Sequence, residues 1–333
     1  MRLTPGKPER FGAAPDGSDV ELVAIENGGA LAQIMTWGAS LQDFRIAGVD
    51  HPLILGSPEF APYLGVMRHY GAIVGPVANR ISGGEATLMG LTLTFEHNEG
   101  GRTHLHGGST GTSVLNWRLE DCDASSLVLS LNLPDGFGGL PGNRMIGARC
   151  EIDSMGALII EMTAQTDAPT YCNLAHHAYW TLGAPLLDHG MQIEAERYLP
   201  VDEHLIPRGP PADVAGTRFD FRQRRKVIDE GDTLLDHNFC LRKSTGIRRI
   251  CTVQTAHLLL DIESDAPGLQ VYDGTGIDSG DAPTLTGTAY QANAGLALEP
   301  QGWPDAPNRP EYPSVLLHPE EPFHRVSRFH VAV

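Results

Sequence analysis

Histidine is the residue type whose spacing in this chain most strongly suggests chemistry. The chain has 14 histidines, and four of them form two pairs. His104 and His106 form a His-x-His unit followed by two glycines, whereas His176 and His177 are adjacent in the segment AHHAYW. An isolated histidine is usually a structural group, but histidine is also the residue that most readily gains and loses a proton near neutral pH. Two pairs beside glycines and aromatic residues therefore favour a catalytic site.

The His-x-His unit also permits a metal site. Residues i and i+2 of a strand face the same side of a sheet, so both imidazoles would point in one direction. Imidazole and carboxylate groups are ordinary ligands of zinc. A metal-dependent β-barrel enzyme that uses His104, His106 and Glu299 is therefore an alternative that this pattern leaves open.

Carboxylate and amide side chains narrow the chemistry. Glu299 ends the apolar run GLALEP, so it either acts as a general base where a strand meets a loop or is an exposed strand terminator. Asp236 precedes the strand-like run Phe239–Leu241 and could equally belong to a turn. Asn79 and Arg80 place an amide beside a guanidinium, which suits neutral hydroxyl or carbonyl groups but also occurs on ordinary surfaces.

These side chains must be positioned by strands, because period-two alternation of apolar and polar residues recurs along the whole chain. The runs 20–26, 31–37 and 41–46 predict a β-meander whose first turn is Asn27-Gly28-Gly29. Met89-Gly90 predicts a tight hairpin between residues 86–88 and 91–95. Further strands are predicted at 127–133, 145–152, 158–165, 191–194, 239–241, 258–263, 269–272, 296–299 and 326–333.

Many short strands without intervening helices predict an all-β fold in which antiparallel sheets form a sandwich. Helical periodicity is limited to a turn or two near Pro58–Leu64. No linker-like tract interrupts the strand rhythm, so we expect one domain over residues 1–333, with residues 1–19 as a loose polar lead-in. The 38 glycines and 24 prolines fit the many turns that such a fold requires.

Charge and cysteine content exclude several classes of function. The net charge of −17 repels phosphate backbones and anionic membranes, so no nucleic-acid or membrane partner is expected. No run approaches the roughly 18 apolar residues of a membrane span, and the N-terminus lacks an apolar signal core. Five cysteines without CxxC spacing predict reduced thiols and a cytoplasmic protein.

Eight segments between residues 75 and 310 resemble, in chain order, the motif series of the aldose 1-epimerases, also called mutarotases, and the match runs from about residue 20 to the C-terminus. A single motif would be modest support, but eight in order are specific. The segments are GPVANRI at 75–81, THLHGG at 103–108, NLAHHAYWTLG at 173–183, YLPVDEHLIPRG at 198–209, TRFDFR at 217–222, LDHNFCL at 235–241, PGLQVYDG at 267–274 and LALEPQGWPDAPNRP at 296–310.

The resemblance implies a large twisted antiparallel β-sandwich of the galactose-mutarotase type, with an open cleft on one sheet. It implies interconversion of the α and β anomers of free aldoses such as glucose and galactose, without a metal or an organic cofactor. By motif position, His177 would be the general acid and Glu299 the general base. The sugar-binding positions of the family fall on Asn79, Arg80, His106, Asp236 and Gln270.

Two departures from the family pattern bear on substrate preference. Pro76 stands where the family commonly has arginine, and His176 stands where it commonly has asparagine. Trp303, and after it Trp180, are candidates to cover the apolar face of a sugar ring. Besides the metal-dependent enzyme, a non-catalytic carbohydrate-binding sandwich is an alternative function. The expected partner is a small neutral sugar, and the expected assembly is a monomer or a homodimer.

Overall fold

The computed structural model describes residues 3–229, 231 and 234–333. Within them the chain forms antiparallel β-sheets, and its helical segments are single 3₁₀ turns. The predicted turn near Pro58–Leu64 is one of these, at Ala61–Leu64, with a proline in its first turn. The remaining turns are Ser82–Gly84, Gly108–Thr110, Thr112–Val114, Phe137–Gly139, Leu186–Asp188 and Ala306–Asn308.

One layer is a nine-stranded sheet that extends from the middle of the chain to its C-terminal strand. Its inner face carries alternate apolar residues, as in Arg144–Ile152, where every second side chain is buried. In spatial order the strands are Arg118–Cys122, Ser126–Leu133, Arg144–Ile152, Leu158–Thr166, Phe323–Ala332, Leu259–Ser264, Arg248–Gln254, Gly190–Ile193 and Arg225–Lys226.

A six-stranded sheet forms the layer that positions the candidate site. Leu298, Val271 and Phe239 point from it into a core cluster shared with the nine-stranded sheet. Trp180 stacks on Phe329 of that second sheet at a ring distance of 5.1 Å. In spatial order its strands are Tyr179–Trp180, Leu296–Gln301, Gly268–Tyr272, Asp236–Leu241, Ala195–Tyr198 and Ala212–Asp213.

A four-stranded sheet at the N-terminal end contains the predicted meander. Its strands, in order, are Glu9–Ala13, Asp19–Asn27, Ala30–Met35 and Ser40–Ile46. The first strand corrects the expectation of a loose lead-in over residues 1–19, because Glu9–Ala13 pairs with the start of Asp19–Asn27. Backbone pairing forms this edge strand although its side chains are half-buried or exposed and give no clear alternation. Residues 1 and 2 of the lead-in lie outside the described residues.

Four two-stranded pieces complete the fold and link the sheets. The predicted hairpin around Met89-Gly90 is one of them, with Glu85–Leu88 paired to Leu91–Thr94. Another pairs Ala72–Val74 with Ala175–His177 and brings the second histidine pair into the site. The other two pair Arg80–Ile81 with His104–Leu105 and Thr170–Tyr171 with Leu316–Leu317.

The predicted antiparallel β-sandwich is therefore confirmed. In the part of the chain that the structure describes, no helix is long and apolar enough to cross a membrane.

Candidate active site

The floor of the candidate site is the face of the six-stranded sheet that points away from the core. Period-two alternation places Leu296 and Leu298 in the core and turns Glu299 to the opposite face. In the antiparallel register Gln270 lies directly beside Glu299 on the next strand. Asp236, at the start of the strand after that, bonds to Gln270 through the Gln270 Nε2 donor and its own Oδ1 acceptor. All three side chains are buried.

His177 approaches the floor from a separate short strand, Ala175–His177, which pairs with Ala72–Val74. Its Nε2 atom lies 3.6 Å from Oε1 of Glu299, and the two side chains are 7% and 3% exposed. The distance is too long for a hydrogen bond but leaves both atoms facing the same point. The backbone carbonyl of His177 accepts a bond from the amide of Gly71, which fixes the end of this strand.

His106 completes a group of three. Its backbone is in the left-handed region at φ 54°, and its Nδ1 atom accepts the backbone N–H of Asn79 at 3.1 Å. The hydrogen of this neutral ring therefore sits on Nε2, which becomes a donor. One side-chain nitrogen or oxygen from each of His106, His177 and Glu299 lies within 4.8 Å of the other two.

Arg80 borders the site on the side of Asp236. Its Nε and Nη2 atoms donate to the two carboxylate oxygens of Glu99 at 2.8 and 2.7 Å, and its Nη1 atom donates to Asp236 at 3.3 Å. The side-chain carbonyl of Asn79 accepts the Arg80 backbone N–H at 2.9 Å. This two-carboxylate clamp holds the guanidinium in one orientation, with fixed donors beside the floor of the site.

All seven residues predicted for the site therefore lie around one location, although they come from six separate strands or loops. The sequence interpretation missed His69, whose ring centroid lies 5.2 Å from that of His106 and 6.1 Å from that of His177. It also missed Tyr179, whose ring lies 5.0 Å from the His177 ring. Tyr179 follows His177 by two residues, a spacing that is a usable signal, whereas nothing in the local sequence marks His69.

Several other expectations are corrected by the structure. His104 does not join His106 in the site, because the backbone enters the left-handed region at His106. The Nδ1 atom of His104 instead bonds to the Glu96 carbonyl at 2.8 Å, and the His104 ring stacks on Phe95. Trp180 is a core residue between the sheets rather than a cover for a sugar.

Trp303 also has a structural environment. Its indole N–H donates to the Pro267 carbonyl at 2.8 Å, and its ring packs edge-on against Tyr312. The ring of Tyr179 instead contacts His177, and those of Tyr70 and Tyr272 lie 4.6 and 6.2 Å from Tyr179.

Burial governs the protonation of the central pair. It lowers the pKa of His177 to about 4. It raises the pKa of Glu299 well above its ordinary value; the nearby charge of Asp236 adds to this rise, and Arg80 opposes it. Removal from water therefore favours the uncharged forms of both groups in the free site.

The surrounding groups follow the same physics. Burial, reinforced by His69 and His177, places the pKa of His106 well below its ordinary value, so this ring is a neutral donor. Burial raises the pKa of Asp236 in spite of Arg80 and Gln270. Burial alone would lower the pKa of Arg80, but Asp236 and Glu99 outweigh it and raise the pKa, so the guanidinium stays charged.

This arrangement can hold a neutral polyhydroxyl molecule and move a proton at it. Glu299 and His177 form an acid and base pair that faces one point, and Asp236, Gln270 and Arg80 supply acceptors and donors beside it. The group of His106, His177 and Glu299 also has the donor atoms of a metal site.

Comparison with known proteins agrees with this geometry. A family model described as aldose 1-epimerase matches residues 21–330. The galactose mutarotase of Sus scrofa is 34% identical over 336 residues, which cover 96% of each chain. The aldose 1-epimerase of Escherichia coli is 32% identical over 336 residues, which cover 95% of this chain and 96% of that protein.

Solved structures give the same result. An aldose epimerase homologue from C. elegans superposes with a TM-score of 0.88 at 27% identity, covering 94% of this chain and 99% of that one. A galactose 1-epimerase from Lactobacillus acidophilus superposes with a TM-score of 0.85 at 26% identity, covering 99% of both chains. A similarity that spans nearly the whole chain in both sequence and structure establishes its descent: the chain belongs to the aldose 1-epimerase family.

Proposed function

We propose that this chain is an aldose 1-epimerase that interconverts the α and β anomers of free aldoses such as glucose and galactose. The observation that carries the proposal is the buried His177–Glu299 pair, whose facing atoms lie 3.6 Å apart on the floor of a polar site. Family membership supports the same activity, since the similar proteins from Sus scrofa and Escherichia coli are named galactose mutarotase and aldose 1-epimerase.

The proposed reaction opens and recloses the sugar ring. Glu299 accepts the proton of the anomeric hydroxyl while His177 donates a proton to the ring oxygen, so the bond between C1 and the ring oxygen breaks and C1 becomes an aldehyde. After rotation about C1–C2, His177 takes back the hydroxyl proton and Glu299 returns a proton to the aldehyde oxygen as the ring closes. No atom is gained or lost, and the pair ends as it began. General acid–base steps of this kind typically contribute about 10²–10⁴-fold each.

The proposed reaction needs one proton in total on the pair. With one proton present, the raised pKa of Glu299 and the lowered pKa of His177 favour its location on Glu299 in the free site. A bound sugar replaces the missing water with hydroxyl donors, which favours the carboxylate and moves the proton to His177. The reactive form is then the ion pair, at the same proton count.

The remaining site residues are proposed to bind the sugar. Asp236 and Gln270 adjoin Glu299 on the sheet, so they are placed for hydroxyls next to the anomeric centre. Arg80 supplies fixed donors on that side, and its charge is already balanced by Glu99 and Asp236. His106 presents Nε2–H toward the same point, and the turn at Asn79 fixes its ring. A neutral ligand suits a site whose charges are paired internally.

The test measures the conversion of freshly dissolved α-glucose and α-galactose by polarimetry or NMR, with the spontaneous rate subtracted. We expect the wild-type protein to exceed that rate, and Glu299→Gln and His177→Asn to lower kcat by about 10²-fold or more. The exposed pair His324 and Glu161, in contact at 2.7 Å, offers matched controls: His324→Asn and Glu161→Gln should retain full activity. A wild-type rate equal to the spontaneous rate with every aldose would refute the proposal.

Two alternatives have distinct outcomes in the same assay. A non-catalytic carbohydrate-binding protein would bind sugar without changing the rate. A metal-dependent enzyme is the second candidate, because His106, His177 and Glu299 could hold an ion. We expect activity to survive prolonged treatment with a chelator. Loss on chelation, with recovery on adding back a stoichiometric transition metal, would instead favour the metal mechanism.

We further propose that the protein acts in the cytoplasm, as a monomer or homodimer, on a small neutral sugar and without a nucleic-acid or membrane partner. The net charge of −17 supports the exclusion of anionic partners. The cysteines support a reducing compartment, since all five are free thiols. Size-exclusion chromatography with light scattering measures the assembly state.

A further inference from the structure

His69 lies against the catalytic pair but has no part in the mechanism above. It belongs to the loop that precedes the strand Ala72–Val74, and its ring packs against both His106 and His177. Its Nδ1 atom is within hydrogen-bond distance of Ser113 Oγ, at 3.1 Å, which fixes the ring orientation. The opposite nitrogen, Nε2, is left for another partner. The side chain is partly exposed, so a ligand can reach it.

The position of His69 suits a contact with the substituent on C5 of a bound sugar. Side-chain atoms of Glu299, His177 and His106 lie within 4.8 Å of one another, and the ring of His69 lies against the two imidazoles of this group, 5.2 Å from that of His106 and 6.1 Å from that of His177. With the anomeric hydroxyl at Glu299 and the ring oxygen at His177, the next atom along the ring is C5. In that pose C5 lies on the His177 side of the sugar, so its substituent is the one nearest the residues that contact His177, His69 among them.

A cavity of about 220 Å³ provides room for that substituent. Its walls include His69 together with the rings of Tyr70, Tyr179 and Tyr272. Tyr179 also contacts His177, so one wall of the cavity lies against the catalytic pair. Aromatic walls suit the C–H groups of a hydroxymethyl arm, and they leave its hydroxyl in need of a polar partner.

The chemistry of His69 matches a neutral hydroxyl rather than an anion. Desolvation, with smaller contributions from His177 and Arg68, lowers the pKa of His69 to about 3, so the ring is uncharged near neutral pH. A neutral imidazole nitrogen can donate or accept one hydrogen bond to an alcohol, according to its tautomer.

We propose that Nε2 of His69 binds the 6-hydroxyl of an aldohexose, which makes His69 a specificity-determining residue. The inference rests on the proposed function. It assigns the preferred substrate class: aldohexoses with a free 6-hydroxyl are favoured over 6-deoxyhexoses and over aldopentoses, which lack C6 altogether. A sugar that lacks the 6-hydroxyl leaves Nε2 of His69 without a hydrogen-bond partner. The site therefore discriminates against that sugar.

The test compares kcat/KM for D-galactose, D-fucose and L-arabinose, which differ only at the C5 substituent: a hydroxymethyl, a methyl and a hydrogen. We expect the wild-type protein to prefer galactose to fucose by about 3- to 10-fold. His69→Phe keeps the ring shape but removes the polar atom, so the ratio should fall to about 1 through slower reaction of galactose, with fucose little changed. His69→Gln, which restores a polar group, should recover part of the ratio.

Other outcomes would overturn the proposal. If His69→Phe slows galactose and fucose equally, His69 positions the catalytic histidines and does not read the 6-hydroxyl. A wild-type ratio of 1, or a ratio unchanged in both variants, excludes the contact outright. If the wild-type protein accelerates the mutarotation of none of the three sugars, the proposed function itself is contradicted. This outcome is distinguishable from failure of the His69 proposal, because no ratio of kcat/KM values can then be measured. Thermal melting of each variant establishes that it is folded.

Discussion

His176 and His177 are adjacent residues with opposite environments. His177 faces the site, whereas His176 points into the core, where its ring contacts Phe329 and neither ring nitrogen has a hydrogen-bond partner among the described residues. Burial lowers the pKa of His176 to about 3, so it remains neutral beside the catalytic residue. The departure from the family's asparagine is therefore a change in core packing, and it adds no charge next to His177.

Removal of the Asp236 charge should shift the pH dependence of the enzyme's activity. Activity should form a bell: below the His177 pKa of about 4 both groups of the pair carry protons, and above the raised pKa of Glu299 neither does. Asp236 disfavours ionisation of Glu299, so Asp236→Asn should lower the Glu299 pKa and move the alkaline limb of kcat/KM to lower pH. The maximum should also fall by about tenfold, because a sugar contact is lost.

The measurement is kcat/KM against pH for both proteins, after subtraction of the hydroxide-catalysed rate. An alkaline limb that stays in place, or that moves to higher pH, would contradict the assigned coupling between Asp236 and Glu299.

At the scale of elements, the loop around Gly71 joins the catalytic strand to the four-stranded sheet. The Gly71 amide donates to the His177 carbonyl, and its own carbonyl accepts the Leu41 amide. Gly71 has φ +68°, and a Cβ atom there would lie 2.0 Å from the Leu41 carbonyl oxygen. A side chain at this position is therefore excluded by both backbone strain and direct overlap.

Gly71→Ala should lower the free energy of unfolding by about 3–5 kcal/mol and reduce kcat, since the end of the Ala175–His177 strand must shift. Gly209 is a matched control, because it has φ +71° and a Cβ atom there would meet no other atom within 4 Å. Gly209→Ala should cost only about 1–2 kcal/mol and leave kcat unchanged. Denaturant titration and the mutarotation assay measure both effects; equal losses in the two variants would show that the contact with Leu41 has no influence.

The elements also show how far the sequence predicts the fold. Strands with clear alternation, such as Leu158–Thr166, agree with the sequence pattern within one or two residues. The sequence pattern does not predict two other strands, Arg118–Cys122 and Arg248–Gln254. The first is largely exposed, and the pairing register of the second is irregular between Arg249 and Cys251. Backbone pairing to a neighbouring strand forms both, and that information lies outside the strand's own sequence.

The candidate site is predictable to the extent that motifs mark it. The short strand that carries His177, and the left-handed turn that carries His106, set positions that no local pattern encodes. His69 has no motif at all, and its relation to the pair arises only from the pairing of Ala72–Val74 with Ala175–His177. Conversely, the protonation of the pair does not follow from residue types, because it depends on burial.

For the whole molecule, a shared core predicts cooperative unfolding. One cluster of buried side chains includes Ile25 of the four-stranded sheet, Leu298 of the six-stranded sheet and Ile160 of the nine-stranded sheet. We therefore propose that residues 1–333 behave as a single domain and unfold in one transition. The measurement is denaturant titration followed by far-UV circular dichroism and by tryptophan fluorescence. Coincident curves are expected, whereas two separated midpoints would indicate independent domains.

The central place of the strand Leu296–Gln301 has a consequence for how the protein is made. This strand lies between Tyr179–Trp180 and Gly268–Tyr272, so the sheet that carries the site closes only when a segment near the end of the chain is inserted. Contacts between residues so distant in sequence form slowly. During synthesis, a nascent chain that lacks this strand has no Glu299 and leaves the edges of two neighbouring strands unpaired, which is the stage at which aggregation competes with folding.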